Sequence, residues 1–461
     1  MPSLEPDTDT PPAPVSISPT PHRTDTGNAI RLIRLHGKDL RYIVRLREWF
    51  VWNSTRWEPD TSGEVMRRAK DTVRSIYREA AACNDAIERQ ALASFASRCE
   101  SSSRIESMIK LAWSEPGIAI QPGMMDADPW LFNVPNGTID LRTGRLRPHR
   151  REDYITKMGG CEYQEGAAAG MWDRFIDRIM HKDVGLIAYL RRCIGYSMTG
   201  SVREQKLFMP HGGGANGKST ALNAIREVMG DYATPAARDL LLVKPNDNHP
   251  TAIADLDGVR MVLGSETDEG RRLAESLVKQ LTGGDAMKAR KMHKDYYFYS
   301  PIFKLWLAVN HLPLVRGTDY AIWRRIQRIP FTVTIPESEQ DKDLPIKLRD
   351  EFSGILNWCL QGCREWQEQG IDTPTTVTVA TDEYRADMDI IGSFIESMCM
   401  NGDASATCSK RHFYEAYKTW SEESGEEAMS QRLVSYKLTE RGISSNRSKS
   451  VHYWVGIKLK G

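Results

Sequence analysis

The feature that most limits what this chain can fold into is the run GGGANGKST, from Gly212 to Thr220. An apolar strand candidate, KLFMP (206–210), precedes it, and a helix candidate, ALNAIREVMG (221–230), follows. Gly212, Gly217, Lys218 and Ser219 satisfy G-x-x-x-x-G-K-[ST] in the strand–loop–helix setting that the pattern needs. With so little side chain in the way, the backbone N–H groups of Gly212, Gly213, Gly214, Ala215, Asn216 and Gly217 are expected to turn inward on phosphate oxygens. The helix that follows adds its positive end. Lys218 is expected to reach the β- and γ-phosphates of ATP, and Ser219, beside Thr220, to ligate Mg²⁺.

A phosphate loop alone names no reaction, so the neighbouring strands must supply the rest. VRMVLGSETDEG (259–270) reads as a strand with acids at its end. Glu266 is the candidate to polarise an attacking water, and Asp268 a candidate to help hold the metal ion; Glu269 is a weaker candidate. FKLWLAVN (303–310) ends in Asn310, whose amide is placed to orient that water or sense the γ-phosphate. DYAIWRRIQRIPF (319–331) offers Arg324 and Arg325. An arginine that completes charge neutralisation at a neighbouring subunit's γ-phosphate stabilises the transition state by several kcal/mol, and Arg325 is preferred for that part. Lys288, Arg290, Lys291, His293 and Lys294 crowd into seven residues. Cations so placed suit a phosphate backbone gripped without regard to sequence. The aromatic run YYFYS (296–300) beside them reads as a core strand.

Composition decides less. Sixty-two Lys+Arg against 61 Asp+Glu give a net charge of +1, so any nucleic-acid contact must come from local charge. A chain 40% hydrophobic and 27% charged is globular, not disordered. No stretch approaches the roughly 18 apolar residues of a membrane span, and the N-terminus lacks a secretory pattern. The eight cysteines have no zinc spacing and read as free thiols, which suggests a reducing compartment such as a bacterial host cytoplasm.

The organisation expected is multidomain α/β. Residues 1–28, rich in Pro, Thr, Ser and Asp, form a disordered tail. An α+β domain spans 29–165, with a hairpin at 41–59 turning on Asn53-Ser54, helices over 62–114, and short strands at 131–149 around Asn136-Gly137 and Thr143-Gly144. A helical collar at 166–200 leads to the ATPase core at 201–370, a linker at 371–390 and a winged helix at 391–461. The last module's third helix carries Arg432, Lys437 and Arg441, and its wing Arg447 and Lys449, an arrangement suited to duplex DNA.

The order GGGANGKS, SETDEG, LTGGDAMKARKMHKD, LWLAVNHLP, IWRRIQRIPF resembles the superfamily 3 helicases. Within them it is most similar to the phage and plasmid primase–helicase C-terminal regions related to the poxvirus primase–helicase. NVPNGTIDLRTGRLRPH resembles the domain that precedes the ATPase there. The resemblance implies an AAA+-like core acting as a ring, usually a hexamer, that moves along single-stranded DNA. It assigns Gly212, Gly217, Lys218 and Ser219 to the phosphate loop and Glu266 and Asp268 to the acidic motif. Asn310 becomes the sensor, Arg324 or Arg325 the trans-acting arginine, and 283–295 the DNA-contacting pore hairpin. Some members have two adjacent acids where Ser265 precedes Glu266 here, so the division of labour between metal ligand and base stays open. With about 29 low-complexity residues before the first unit and no zinc pattern, no primer synthesis is expected, and a separate primase becomes a candidate partner. The function expected is an ATP-dependent replicative DNA helicase of a phage, plasmid or integrated element, acting on single-stranded and forked DNA as a homo-oligomer. Two alternatives compete. One is a replication initiator whose winged helix reads an origin; the other is a small-molecule kinase, which has no use for the 288–294 cluster.

Overall fold

A computed structural model describes residues 21–237, 239–243, 250–265, 270–290, 295–317, 320–401, 406–424, 428–448 and 451–460. The chain divides into two compact units, Met1–Ile139 with Leu146–Met158, and Asp140–Arg145 with Gly159–Gly461. Both mix helix and sheet.

In the first unit, α1 (Asp25–His36) starts where the Thr24 hydroxyl accepts from the Gly27 N–H. Strands β1 (Leu40–Ile43), β2 (Glu48–Trp52) and β3 (Trp57–Pro59) run antiparallel. Asn53 makes the expected turn: its Oδ1 accepts from the N–H groups of Thr55 at 3.0 Å and Arg56 at 2.9 Å. Three helices fill the helical stretch, α2 (Glu64–Ala82), α3 (Ala86–Cys99) and α4 (Ser102–Ala112). Val65, Ala69, Val73 and Ile76 recur at helical spacing on α2 and bury against Leu40 and Val51 of the sheet. β4 (Ala119–Ile120) adds parallel to β1. A second sheet, β5 (Leu131–Val134), β6 (Gly137–Asp140) and β7 (Arg145–Arg147), turns at the two glycine positions read from sequence.

The second unit opens with α5 (Gly170–Ile179) and α6 (Val184–Ser197). There follow β8 (Leu207–His211), α7 (Lys218–Met229), β9 (Ala233–Pro235), α8 (Pro250–Ala254), β10 (Met261–Ser265) and α9 (Glu275–Gly283). A hairpin of β11 (Met287–Ala289) and β12 (Tyr297–Tyr299) precedes β13 (Lys304–Ala308), α10 (Tyr320–Trp323) and β14 (Ile326–Pro330). Strands β14-β8-β13-β10-β9, in that order, form one parallel sheet, which fits a P-loop core. Its strands are nearly continuous apolar runs because both faces are covered.

Helices α11 (Leu344–Arg349) and α12 (Phe352–Gln369) come next, and α12 crosses α6 at backbone distance. A Cβ on Gly195 would lie 2.0 Å from the Cys363 nitrogen, and one on Gly362 would lie 2.0 Å from the Arg191 carbonyl oxygen. Residues 371–390, expected as a linker, instead contain helix α13 (Thr375–Asp387). Its run of threonines and valines disfavours a helix in isolation. Packing overrides this: Val377, Ala380 and Tyr384 are buried, and Thr381 Oγ1 accepts from the Arg328 N–H of β14 at 3.1 Å.

The remainder holds α14 (Ile390–Met398), β15 (Cys399–Asn401), β16 (Thr407–Ser409), α15 (Lys410–Glu423) and α16 (Gln431–Glu440). It ends in β17 (Ser445–Ser448), β18 (Val451–Val455) and β19 (Ile457–Leu459). Phe394, Phe413, Tyr417, Leu438 and Trp454 make its core. Among the described residues no helix is long and apolar enough to cross a membrane.

The α6–α12 crossing yields a stability prediction. Gly362→Ala drives a methyl into backbone atoms that cannot rotate away, so chemical denaturation should show a loss of about 1–3 kcal/mol or more.

Candidate functional site

The parallel register brings the carboxyl ends of β8, β10 and β13 together, with Ser265 opposite Ala308 and His211 bridged to Val309. From the end of β8 the chain wraps through the glycine loop into α7. Gly217 has φ +77°, and a Cβ there would meet Ile179 Cγ2 at 2.6 Å, so no other residue fits. Lys218 begins α7, is 5% exposed, and turns its ammonium back over the loop. Among its partners are Gly212 O at 2.7 Å, Asn216 Oδ1 at 3.1 Å and Asn310 Oδ1 at 3.1 Å, each accepting from it. Asn310, picked from sequence as the end of the third strand, thus meets the phosphate-loop lysine directly. Ser219 is exposed where the loop enters α7.

These residues open on a cleft of about 680 Å³, lined among others by Gly214, Ala215, Asn216, Gly217, Lys218, Ser219, Thr220, Ser265 and Asn310. The size suits a nucleotide. The lining suits its phosphates, since Lys218 brings an ammonium to the rim of a glycine-rich loop. Arg226 and Asn223 on α7, not singled out from sequence, also line it. Glu266 and Asp268, with Glu269, lie outside the described residues.

His211, the last residue of β8, was also not singled out. Burial pushes its imidazole down to about 4, helped by the positive charges of Arg328 and Lys218. It is therefore neutral near pH 7 and adds no charge beside the lysine.

The two arginines part company. Both precede β14, whose Ile326 pairs with Leu207 at the start of β8. They lie at the amino ends of the strands, whereas the phosphate loop lies at the carboxyl ends, a strand's length of roughly 13 Å away. Arg325 is 7% exposed, donates from Nε to Thr282 Oγ1 at 3.0 Å and donates to the Ala321 carbonyl. The preference for Arg325 as an outward-reaching group is therefore corrected: its guanidinium is committed inside its own chain. Arg324 is half-buried and donates to Gln205 Oε1 at 2.6 Å.

The basic segment forms part of the β11–β12 hairpin, with Lys288 opposite Phe298. The aromatic run splits by the period of two that a strand imposes. Tyr297 and Tyr299 turn inward, their hydroxyls donating to the carbonyls of Ala254 and Ile253. Tyr296 and Phe298 turn outward, 49% and 65% exposed. Lys288 Nζ lies 4.3 Å and Arg290 Cζ 4.8 Å from the Tyr296 ring centroid. The expectation that these rings form core holds for two of them and fails for Tyr296 and Phe298. Lys291, His293 and Lys294 fall outside the described residues.

In the C-terminal module Arg432 and Arg447 are exposed, and Lys449 is outside the described residues. Lys437 is corrected. It is 6% exposed, and its ammonium donates to the Arg316 carbonyl, between β13 and α10, at 2.9 Å, so it cannot meet a duplex. Arg441 is paired with Asp389.

Residues 29–181 match the family described as D5 N terminal like, and 211–325 match a family of unknown function. A putative helicase of Acanthamoeba polyphaga mimivirus is 27% identical over 303 residues, covering 60% of this chain and 32% of the relative. A putative helicase of Invertebrate iridescent virus 6 is 26% identical over 368 residues, covering 70% and 38%. A putative primase of African swine fever virus is 22% identical over 329 residues, covering 64% and 34%. The chain thus spans about a third of the length of these curated relatives. The solved C-terminal region of NrS-1 shares the fold, with a TM-score of 0.50 at 8% identity over 92% of this chain and 98% of that one. By these matches the chain is similar to phage and viral helicases and primases.

The match at 211–325 runs from His211 through Arg325 and so contains all the nucleotide-site candidates. The site's electrostatics give a prediction. Between the ordinary histidine value of 6.5 and about 4, the unfolded chain takes up a proton at His211 that the folded chain refuses. This contribution to stability is complete above 6.5 and declines as pH falls toward 4. Denaturation midpoints of His211→Gln should fall less over that window than those of the wild type.

Proposed function

We propose that the chain is an ATP- and Mg²⁺-dependent DNA helicase of a phage or other mobile element, acting as a homo-oligomeric ring, of hexameric type, on single-stranded DNA. The observation that carries this reading is the meeting of Lys218 and Asn310 at the converged strand ends, facing the cleft. In this reading Lys218 binds the β- and γ-phosphates, and the amides of the 212–217 loop hold them in place. Asn310, now bonded to Lys218, is released to the attacking water or the γ-phosphate when the phosphates take the ammonium. Ser219 would hold Mg²⁺, which supplies neutralisation of phosphate charge, and Glu266 or Asp268 would complete that site as the sequence suggests. Arg324 is the better candidate to reach a neighbouring subunit's nucleotide, because its own site lies at the other end of the strands.

The outward face of the β11–β12 hairpin supports a polynucleotide partner over the small-molecule kinase reading. Lys288 and Arg290 offer charge to phosphates, and Phe298 an unobstructed ring to bases. The C-terminal helices, small sheet and β17–β18 hairpin fit a winged helix, and Arg432 and Arg447 are its remaining candidates for DNA. The burial of Lys437 weakens the reading of an origin-specific initiator, which relies on the whole basic face of α16.

The deciding experiment is ATP-driven unwinding of a forked duplex. Wild type should unwind it and Lys218→Ala should not, while retaining its fold; unwinding by the variant would refute the site. Separately, Phe298→Ala should weaken single-strand affinity by about 1–3 kcal/mol and leave DNA-free ATP hydrolysis intact.

A further inference from the structure

The chain between Asn310 and Arg324 joins the sensor of one nucleotide site to the arginine offered to the next. Its described part is gripped from several elements. Glu275 Oε1 at the start of α9 accepts from the N–H groups of Arg316 at 2.9 Å and Gly317 at 3.0 Å. The Tyr384 hydroxyl of α13 donates to the Pro313 carbonyl, and Met388 Sδ lies 3.5 Å from the Val315 nitrogen. Trp323 Nε1, one residue before Arg324, donates to the Gly317 carbonyl at 2.9 Å. Leu314 also bridges to Arg272, ahead of α9. Each of these contacts comes from the ATPase region or α13. Lys437 adds a contact from the C-terminal module: from the last turn of α16 it reaches the Arg316 carbonyl. That carbonyl belongs to the residue whose N–H Glu275 holds, so one peptide segment is pinned on both sides.

We propose that Lys437 is a positioning residue for ATP hydrolysis, through which the C-terminal module holds the segment joining Asn310 to Arg324 in its active setting. The inference rests on the nucleotide-site reading above. The chemistry favours a positional role. A lysine this deep is costly unless bonded, and burial lowers its proton affinity from the ordinary value. The charges acting on it are Asp389, Glu440 and Glu275, which favour the ammonium, and Arg441, which opposes it. Asp389 caps α14 and pairs with Arg441, so the same side chains also seat α16 against the end of α13. A force that lifts α16 must break the Lys437 contact and free the Arg316–Gly317 segment. A load on the C-terminal module then changes ATP turnover without touching nucleotide.

The test uses the full chain. Lys437→Met keeps most of the stem and removes the donor; Lys437→Arg restores one. For the methionine variant kcat for ATP should fall about tenfold or more, the scale expected from a misplaced catalytic element, with KM for ATP and single-strand affinity within about twofold of wild type. Amide exchange of a peptide covering 312–317 should accelerate, and Lys437→Arg should recover most of the turnover. Unchanged kcat in folded Lys437→Met, or a loss not recovered by Lys437→Arg, would overturn the proposal. If the methionine variant fails to fold, Glu275→Ala, which removes the acceptor holding the same segment from its other side, carries the measurement: unchanged kcat overturns the proposal, and a kcat loss at constant KM supports it. Wild-type hydrolysis abolished by Lys218→Ala is the control that separates the two claims, since without it the nucleotide site itself is wrong.

Discussion

Two cations almost without access to water hold the second unit together. Arg260 and Lys304, each 2% exposed, stand immediately before or at the start of β10 and β13 and reach the carboxyl end of α6. Arg260 donates to the Met198 carbonyl at 2.8 Å and lies over the Tyr232 ring; Lys304 donates to the carbonyls of Thr199 and Ser201. A helix end carries partial negative charge and unpaired carbonyls, so positive groups satisfy it twice, by charge and by hydrogen bond. Burial pushes the Lys304 ammonium well below its ordinary value, and only this ring of carbonyls, with the Tyr196 face, makes the site tolerable. The starts of the two strands are fixed against α6 in this way. Their far ends then fall where the phosphate loop needs them, with Asn310 against Lys218.

Much of this was legible because it is local. The phosphate loop, its flanking strand and helix, and the strands ending at Ser265 and Asn310 announce themselves through short motifs and apolar runs. Asn53 and the two glycine turns are equally local. What escaped reading depends on partners distant in sequence. Residues 375–387 look like a linker until β14 is placed beside them, because Thr381 and Tyr384 have no reason to be helical alone. Arg325 looks like Arg324 on paper, and Thr282, some forty residues earlier, decides which of them is spent internally. Lys437 reads as a basic residue on a recognition helix until Arg316 is found against it. The aromatic run was half legible: alternation says that two rings must face away from the other two, but not which face meets the core. Burial of His211 had no sequence signal at all.

The candidate site and the candidate arginine lie at opposite ends of adjacent strands, and a single chain cannot bring them together without breaking β8–β14 pairing. In the ring proposed above, a composite site between copies would resolve that geometry. The loop between Asn310 and Arg324 then has two duties, and its many backbone anchors to α9, α13 and α16 are what a transmitting element requires.

The borders of the parallel sheet restrict how copies can meet. On one side β14 is overlaid by α13, which takes the Arg328 amide with a threonine hydroxyl. On the other, β9 is three residues long and ends at Pro235, which has no amide hydrogen to give. Both margins thus offer little unpaired backbone to a strand from a second chain. In the proposed ring, copies would meet through side chains, whose contacts can be made and broken with each turnover.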